Sequence, residues 1–128
     1  MKYLLDTHAA IWASEEDPLL SARVRNLILD SSPNDFVIAD TTILEVARLI
    51  HHDPLLLKGE PIERLEKLCA LFKPIQMTIK IAWRSVTLDW AHRDPADRLI
   101  CATALENELT LITRDRKITE WGGVPVFW

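Results

Sequence analysis

Short apolar runs alternate along this chain with stretches of helical period. Residues 2–5 form a brief run that stops at Asp6, and residues 109–112 form another that stops at Thr113 and Asp115. Both read as strands ending at a carboxylate. Residues 36–38 and 124–127 are further short strands, and 74–77 is a weaker one because Pro74 lacks a ladder donor. Between them, four groups recur at helical spacing: Leu20, Val24, Leu27 and Ile28; Ile43, Ala47 and Ile50; Ile62, Leu65, Cys69 and Phe72; Ile79, Trp83, Val86 and Trp90. Each predicts a helix with one apolar stripe turned to the core and one polar face.

Start signals agree with these helices: Ser21 precedes the first, Asp40 or Thr41 the second, Pro61 opens the third and Thr78 precedes the fourth. From Asp97, the run RLICATALENEL is apolar or small almost all round until Glu106, which predicts a central helix packed on several sides. The segment HHDPLLLKG (51–59) reads as a loop punctuated by Asp53-Pro54 and Gly59. Strands alternating with helices require crossover connections, so the expected fold is α/β, a three-layer α/β/α sandwich around a mainly parallel sheet. No repeat or linker divides the sequence, and one domain over residues 1–128 is expected.

Composition narrows the class of protein. With 128 residues, 48% apolar and 27% charged, the chain can bury an ordinary core and is neither disordered nor low-complexity. Fifteen Lys plus Arg against nineteen Asp plus Glu leave a charge of −4, so a nucleic-acid partner must be held by a local basic patch or by metal ions. Cys69 and Cys101 lie in apolar helical patterns with no CxxC pair, and are expected as buried free thiols in a reducing compartment. The opening run is interrupted by Asp6 and His8, and no stretch approaches a membrane span. A soluble cytoplasmic protein with no membrane partner is expected.

The candidate chemistry is carboxylate chemistry. In an open parallel sheet, ligands bind beyond the carboxyl ends of the strands, where Asp6 and Asp115 stand. Glu45 lies within a helix, off its apolar stripe, and Thr42 shares its face three residues earlier. Asp97 opens the central helix, where free amides favour an anion. Each acid also has an ordinary structural role open to it. Asp6 and Asp97 can cap helices, Glu45 can pair with Arg48, and Asp115 can start a turn ahead of Arg116 and Lys117.

Taken together, YLLDTHAAIW, TTILEVA, HRDPADRLICATALENELTLITRD and a closing hydrophobic strand resemble the PIN-domain ribonucleases, and more narrowly the VapC-type toxins of toxin–antitoxin pairs. The resemblance spans nearly the whole chain. It implies a PIN-like fold and an acidic set of Asp6, Glu45, Asp97 and Asp115 that holds Mg²⁺ or Mn²⁺. Thr7, Thr42 and Thr113 resemble the hydroxyl positions that accompany the acids, and Asp94 is a supporting residue beside Asp97. It further implies hydrolysis of single-stranded or loop RNA to leave a 5′ phosphate and a 3′ hydroxyl, a homodimer, and a cognate antitoxin protein. Hard oxygen donors suit such cations, which neutralise charge on phosphate oxygens during an in-line displacement. The chain departs from the family at Ala96 and Leu44, where a bulky aromatic is common, a difference that bears on packing.

Other chemistries find little support. The histidines lack HExxH spacing, three glycines make no phosphate-cradling loop, and there is no GxSxG. A haloacid-dehalogenase-like phosphatase would need a second Asp two residues after the first, where His8 stands, and a response-regulator receiver would need a paired acid beside the first strand. A catalytically silent PIN-like binding module is a third alternative, opposed by the complete acidic set. His92 is a candidate for substrate contact or capping. Arg93, Arg98, Arg114, Arg116 and Lys117 are candidates for phosphate contact. Most of the five tryptophans are expected in the core.

Overall fold

Five strands form one parallel sheet in the order β3-β2-β1-β4-β5. They are β1 (Tyr3–Leu5), β2 (Phe36–Ala39), β3 (Lys73–Ile75), β4 (Thr110–Ile112) and β5 (Val126–Phe127). The computed structural model describes residues 1–56 and 58–128. The helices are α1 (Thr7–Ser14), α2 (Ala22–Asp30), α3 (Thr41–His52), α4 (Pro61–Leu71), α5 (Ile79–Thr87), α6 (Pro95–Glu106) and α7 (Arg116–Trp121), with a 3-10 turn at Pro33–Asp35. Pro74 is tolerated because β3 lies at a sheet edge, where a missing donor breaks no second ladder.

Alternation along the strands splits the core in two. Leu5, Phe36, Ile38 and Ile112 face α1, α2, α3 and α4, while Leu4, Val37, Ala39 and Leu111 face α6 and α7. Both faces are covered, as a parallel sheet requires, and the three-layer sandwich expected from the sequence is the fold observed. From β1 the chain builds outward to β2 and β3, then returns to the other side of β1 to add β4 and β5. The sense of winding therefore reverses between β1 and β4, opening a crevice above their carboxyl ends.

Several expectations need correction. Helix α1 lies outside the four expected groups, and with Thr7 and Ala9 to Trp12 all buried its sequence carries no single stripe. In α3 the buried positions are Thr42, Val46 and Ile50, one position off the expected Ile43 and Ala47. In α4, Leu68 is buried and Ile62 is 59% exposed. His51 and His52 form the last turn of α3, where imidazoles suit the negative end of the helix; the helix stops at Asp53 because the residue before a proline disfavours α geometry. Leu57, within the expected 51–59 loop, lies outside the described residues. Cys101 is buried but Cys69 only partly.

The largest reversal concerns α5. Ile81 and Ser85 face inward, while Ile79, Trp83 and Val86, the stripe expected in the core, are 90%, 70% and 68% exposed. The helix packs on α6 rather than on the sheet, and α6 meets its narrower face. Trp83 is thus a surface tryptophan, whereas Trp12 is buried in the core.

Candidate active site

At the carboxyl edge of the sheet, the turns that follow β1 and β4 each carry an acid that caps the next helix. Asp6 caps α1: its Oδ1 accepts from the Ala9 amide at 2.9 Å, and Oδ2 accepts from the Thr113 hydroxyl. The same hydroxyl accepts from the Asp115 amide at 3.0 Å, so one buried threonine ties the end of β1 to the end of β4. Asp115 caps α7, its Oδ1 accepting from the amides of Lys117 (2.7 Å) and Ile118 (3.2 Å). Thr7 and Thr42 are buried with their hydroxyls 3.4 Å apart, joining α1 to the helix that carries Glu45. Asp40 is not a side-chain cap for α3; its Oδ2 accepts from the Met77 amide at 2.9 Å.

The central helix starts three residues earlier than expected. Asp94 is its cap, its Oδ1 accepting from the Ala96 and Asp97 amides at 2.9 and 3.3 Å, and Pro95 occupies the first helical position. Asp97 therefore sits inside the first turn. There its Oδ2 meets Nε2 of His92 at 2.7 Å, leaving Oδ1 without a hydrogen bond among the described residues.

These placements converge. Asp6, Glu45, Asp97 and Asp115 line one cleft of about 260 Å³, with Thr7, His8 and Asp94 beside them. Neither lysine nor arginine pairs with any of the four acids among the described residues; the one basic side chain bonded to them there is the His92 ring, on Asp97. Burial pushes the Asp6 carboxyl above its ordinary value despite the Thr113 hydroxyl and the Ala9 amide. Burial raises Glu45 as well, aided by the charges of Asp94 and Asp97. It raises Asp97 against its bond to His92, with Asp94 and Asp115 adding to the rise. Beneath them the buried Cys101 thiol is pushed up to about 12, first by burial and then by Asp97, Asp115 and Asp6, so it stays protonated and is no nucleophile.

His92, Asp94 and Asp97 also bring three potential ligand atoms within 4.8 Å of one another. His92 carries no spacing motif in the sequence; its value lies in orienting Asp97. His8, exposed at the rim, acts on Asp6 and Glu45 through its charge. Arg98 disappoints as a phosphate ligand. Its guanidinium is spent on four carbonyls, those of Ser85 (2.7 Å), Trp90 (2.8 Å), Leu88 (2.9 Å) and His92 (2.9 Å). Leu44 is 52% exposed, so its departure from the family's aromatic leaves the core unchanged.

An acidic cleft at the switch point of a five-stranded parallel sheet defines a recognisable class. The sequence pattern of the PIN domain matches residues 3–123, and the chain belongs to the PIN-domain family. Ribonuclease VapC22 of Mycobacterium tuberculosis (strain ATCC 25618 / H37Rv) is 32% identical over 116 residues, covering 90% of this chain and 88% of that protein. Among solved structures, FitAcB from Neisseria gonorrhoeae aligns with a TM-score of 0.74 at 26% identity, covering 98% of this chain and 96% of that one. DNA-bound VapBC from Salmonella typhimurium aligns with a TM-score of 0.75 at 17% identity, covering 99% and 97%, a likeness of fold alone. The phosphatase and receiver alternatives are set aside by the family match.

The raised carboxyls make a stability prediction. Glu45 has a folded-state pKa above its unfolded value, so its contribution is fully favourable below the unfolded pKa and is lost as pH rises through the folded one. At neutral pH its ionised form strains the metal-free protein. Glu45→Gln in chelator is therefore expected to melt at or above wild type at pH 7.5, by less than ~1 kcal/mol because solvent screens the group. The gain should vanish near pH 4. A variant melting well below wild type at pH 7.5 would show that Glu45 is structurally paired.

Proposed function

We propose that this chain is a divalent-metal-dependent endoribonuclease, the toxin of a toxin–antitoxin pair, with one catalytic domain over residues 1–128. The observation that carries this reading is the convergence of four acids on one cleft with no lysine or arginine among them to balance their charge. Such donors fit a hard cation. The free Oδ1 of Asp97, the free Oδ2 of Asp115 and the Glu45 carboxylate are oxygen donors whose combined charge the protein leaves unneutralised, and Mg²⁺ or Mn²⁺ takes that donor type. Asp6, Glu45, Asp97 and Asp115 would hold it. When bound, the cation supplies activation of the attacking water and neutralises charge on the phosphate.

The chain's own residues do the positioning. Thr113 fixes Asp6 and the Asp115 turn at one point, His92 orients Asp97, Thr7 and Thr42 hold α3 so that Glu45 faces the cleft, and Asp94 anchors the first turn of α6. RNA 5′ ends should be mapped after incubation with the purified protein, with Mn²⁺ and with chelator. New 5′-phosphate ends only with metal are expected; none under either condition would leave a binding module in place of a nuclease.

The partners in this reading are RNA, a cognate antitoxin and a second copy of the chain, and the setting is the cytoplasm. The chain's likeness to a toxin–antitoxin complex from Klebsiella pneumoniae, at 25% identity, supports the antitoxin. No helix among the described residues is long and apolar enough to cross a membrane. For the homodimer, the exposed Ile79, Trp83 and Val86 face of α5 supplies an apolar stripe at i, i+4 and i+7 that a two-fold mate can cover with its own. Trp83→Glu is expected to convert a dimer at micromolar concentration to a monomer by light scattering without lowering the helix content. A Trp83→Glu protein that stays dimeric would place the interface elsewhere.

A further inference from the structure

Beyond the acids, the cleft continues past its Asp6 and Asp115 side. Asp6, His8 and Asp115 are shared with a neighbouring hollow of about 350 Å³ that Trp12, Arg114 and Lys117 complete. Arg114 and Arg116 are shared in turn with a third hollow of about 560 Å³, where Arg23, Phe127 and Trp128 lie. A continuous surface thus runs from the acidic cleft across the end of β4 to β5. On a chain of net charge −4, this side gathers cations. The opposite wall of the acidic cleft carries Glu45, Asp94 and Asp97, and Arg98 there is consumed by carbonyls.

The manner in which these cations are held matters more than their number. Arg114 lies over the Trp12 ring at 4.4 Å, and Arg23 lies over the Phe127 ring at 4.6 Å while donating to the Trp128 carbonyl at 3.0 Å. Trp12 and Trp128 meet edge to face at 5.9 Å, so the two arginine platforms form one aromatic assembly. Neither Arg114 nor Lys117 has a carboxylate partner among the described residues, whereas Arg116 pairs with Glu120 at 3.3 Å and Arg23 is held by the terminal main-chain oxygen of Trp128. A guanidinium ordered by an aromatic face keeps its charge for an outside anion, whereas one ordered by a carboxylate does not. Phe127 and Trp128 are half-buried, and partly accessible rings beside phosphate-binding cations are what single-stranded nucleic acid uses, through backbone contact and base stacking together.

We propose that single-stranded RNA runs out of the acidic cleft over the β4–β5 side, with Arg114 holding the phosphate next to the scissile one and the bases against the half-buried Phe127 and Trp128. This path rests on the ribonuclease reading and adds to it a direction and one phosphate-holding residue. Each phosphate contact on a single strand adds about 0.7 to the slope of log affinity against log salt.

The test is a salt series of fluorescence-anisotropy titrations with a labelled single-stranded RNA 12-mer and the full chain carrying Asp97→Asn, so that the probe stays intact. Added Arg114→Ala is expected to weaken binding roughly 5- to 20-fold and to flatten the salt slope by about 0.7. Arg114→Lys should keep the slope and recover part of the affinity. Lys67→Ala, on the exposed face of α4, should change neither. With Asp97 restored, Arg114→Ala should raise KM for RNA cleavage by more than it lowers kcat. Unchanged affinity and slope in Arg114→Ala, or a loss confined to kcat, overturns the path. If the unsubstituted chain cleaves no RNA in Mn²⁺, the ribonuclease reading fails, and the titrations still decide whether RNA lies on this surface.

Discussion

Asp6→Asn and Asp97→Asn are each expected to slow RNA hydrolysis in Mn²⁺ by well over ~100-fold while leaving a folded protein. The size follows from position. Substituting groups that merely orient metal ligands typically costs 10- to 100-fold, and in the proposed reading these two acids belong to the ligand set itself. Asparagine keeps the shape and caps a helix nearly as well as aspartate, so the α1 cap survives in Asp6→Asn and the substitution removes charge rather than structure. Thr113→Val supplies the graded comparison. It takes the hydroxyl from Asp6 and the acceptor from the Asp115 amide, and should fall within the 10- to 100-fold range. Single-turnover cleavage of one RNA at saturating metal checks all three. Full activity in either asparagine variant would remove the acids from the chemistry.

The second large effect is on stability. Arg98→Ala is expected to destabilise the protein by about 3 kcal/mol or more in urea denaturation, because four carbonyls lose a charged donor at once and each such bond contributes roughly 1.5–3 kcal/mol before non-additivity is counted. Lysine should restore less than half of it, since a single ammonium cannot reach four acceptors arrayed around a planar fork. The same residue reaches the site indirectly: the His92 carbonyl is one of its acceptors, and the His92 ring orients Asp97. A loss under ~1 kcal/mol would show that the loop between α5 and α6 holds itself.

What could be read in the sequence was what a short stretch of chain decides alone. Ser21, Pro61 and Thr78 stand at helix starts because capping is a matter of three or four neighbouring residues. Asp6 and Asp115 were legible for the same reason, each ending an apolar run. The misread features depend on partners far along the chain. Helical period showed that α5 has an apolar stripe, but the choice of face was made by α6, which took Ile81 and Ser85 and left Trp83 outside. Helix α1 is buried on most sides and α7 has six residues, so neither offers a period to detect. Arg98 was read as free because nothing in a sequence marks a guanidinium bound to backbone carbonyls 6 to 13 positions earlier. The convergence of the acids came from family resemblance, and its geometry from the reversal of winding between β1 and β4.

The helix caps at Asp6 and Asp115 have a consequence for heredity. Both carboxylates start a helix with one oxygen while facing the cleft, so folding constrains these codons as well as chemistry. Cells that escape the protein's toxicity by mutation should carry a telling spectrum. At positions 6 and 115, abundant but inactive protein should come from asparagine or serine, with most other replacements lost to degradation. At Glu45, mid-helix and capping nothing, a far wider set of replacements should give the same harmless, well-expressed chain. Descendants that have abandoned RNA cleavage would then keep polar caps at two corners of the old cleft long after the third has drifted.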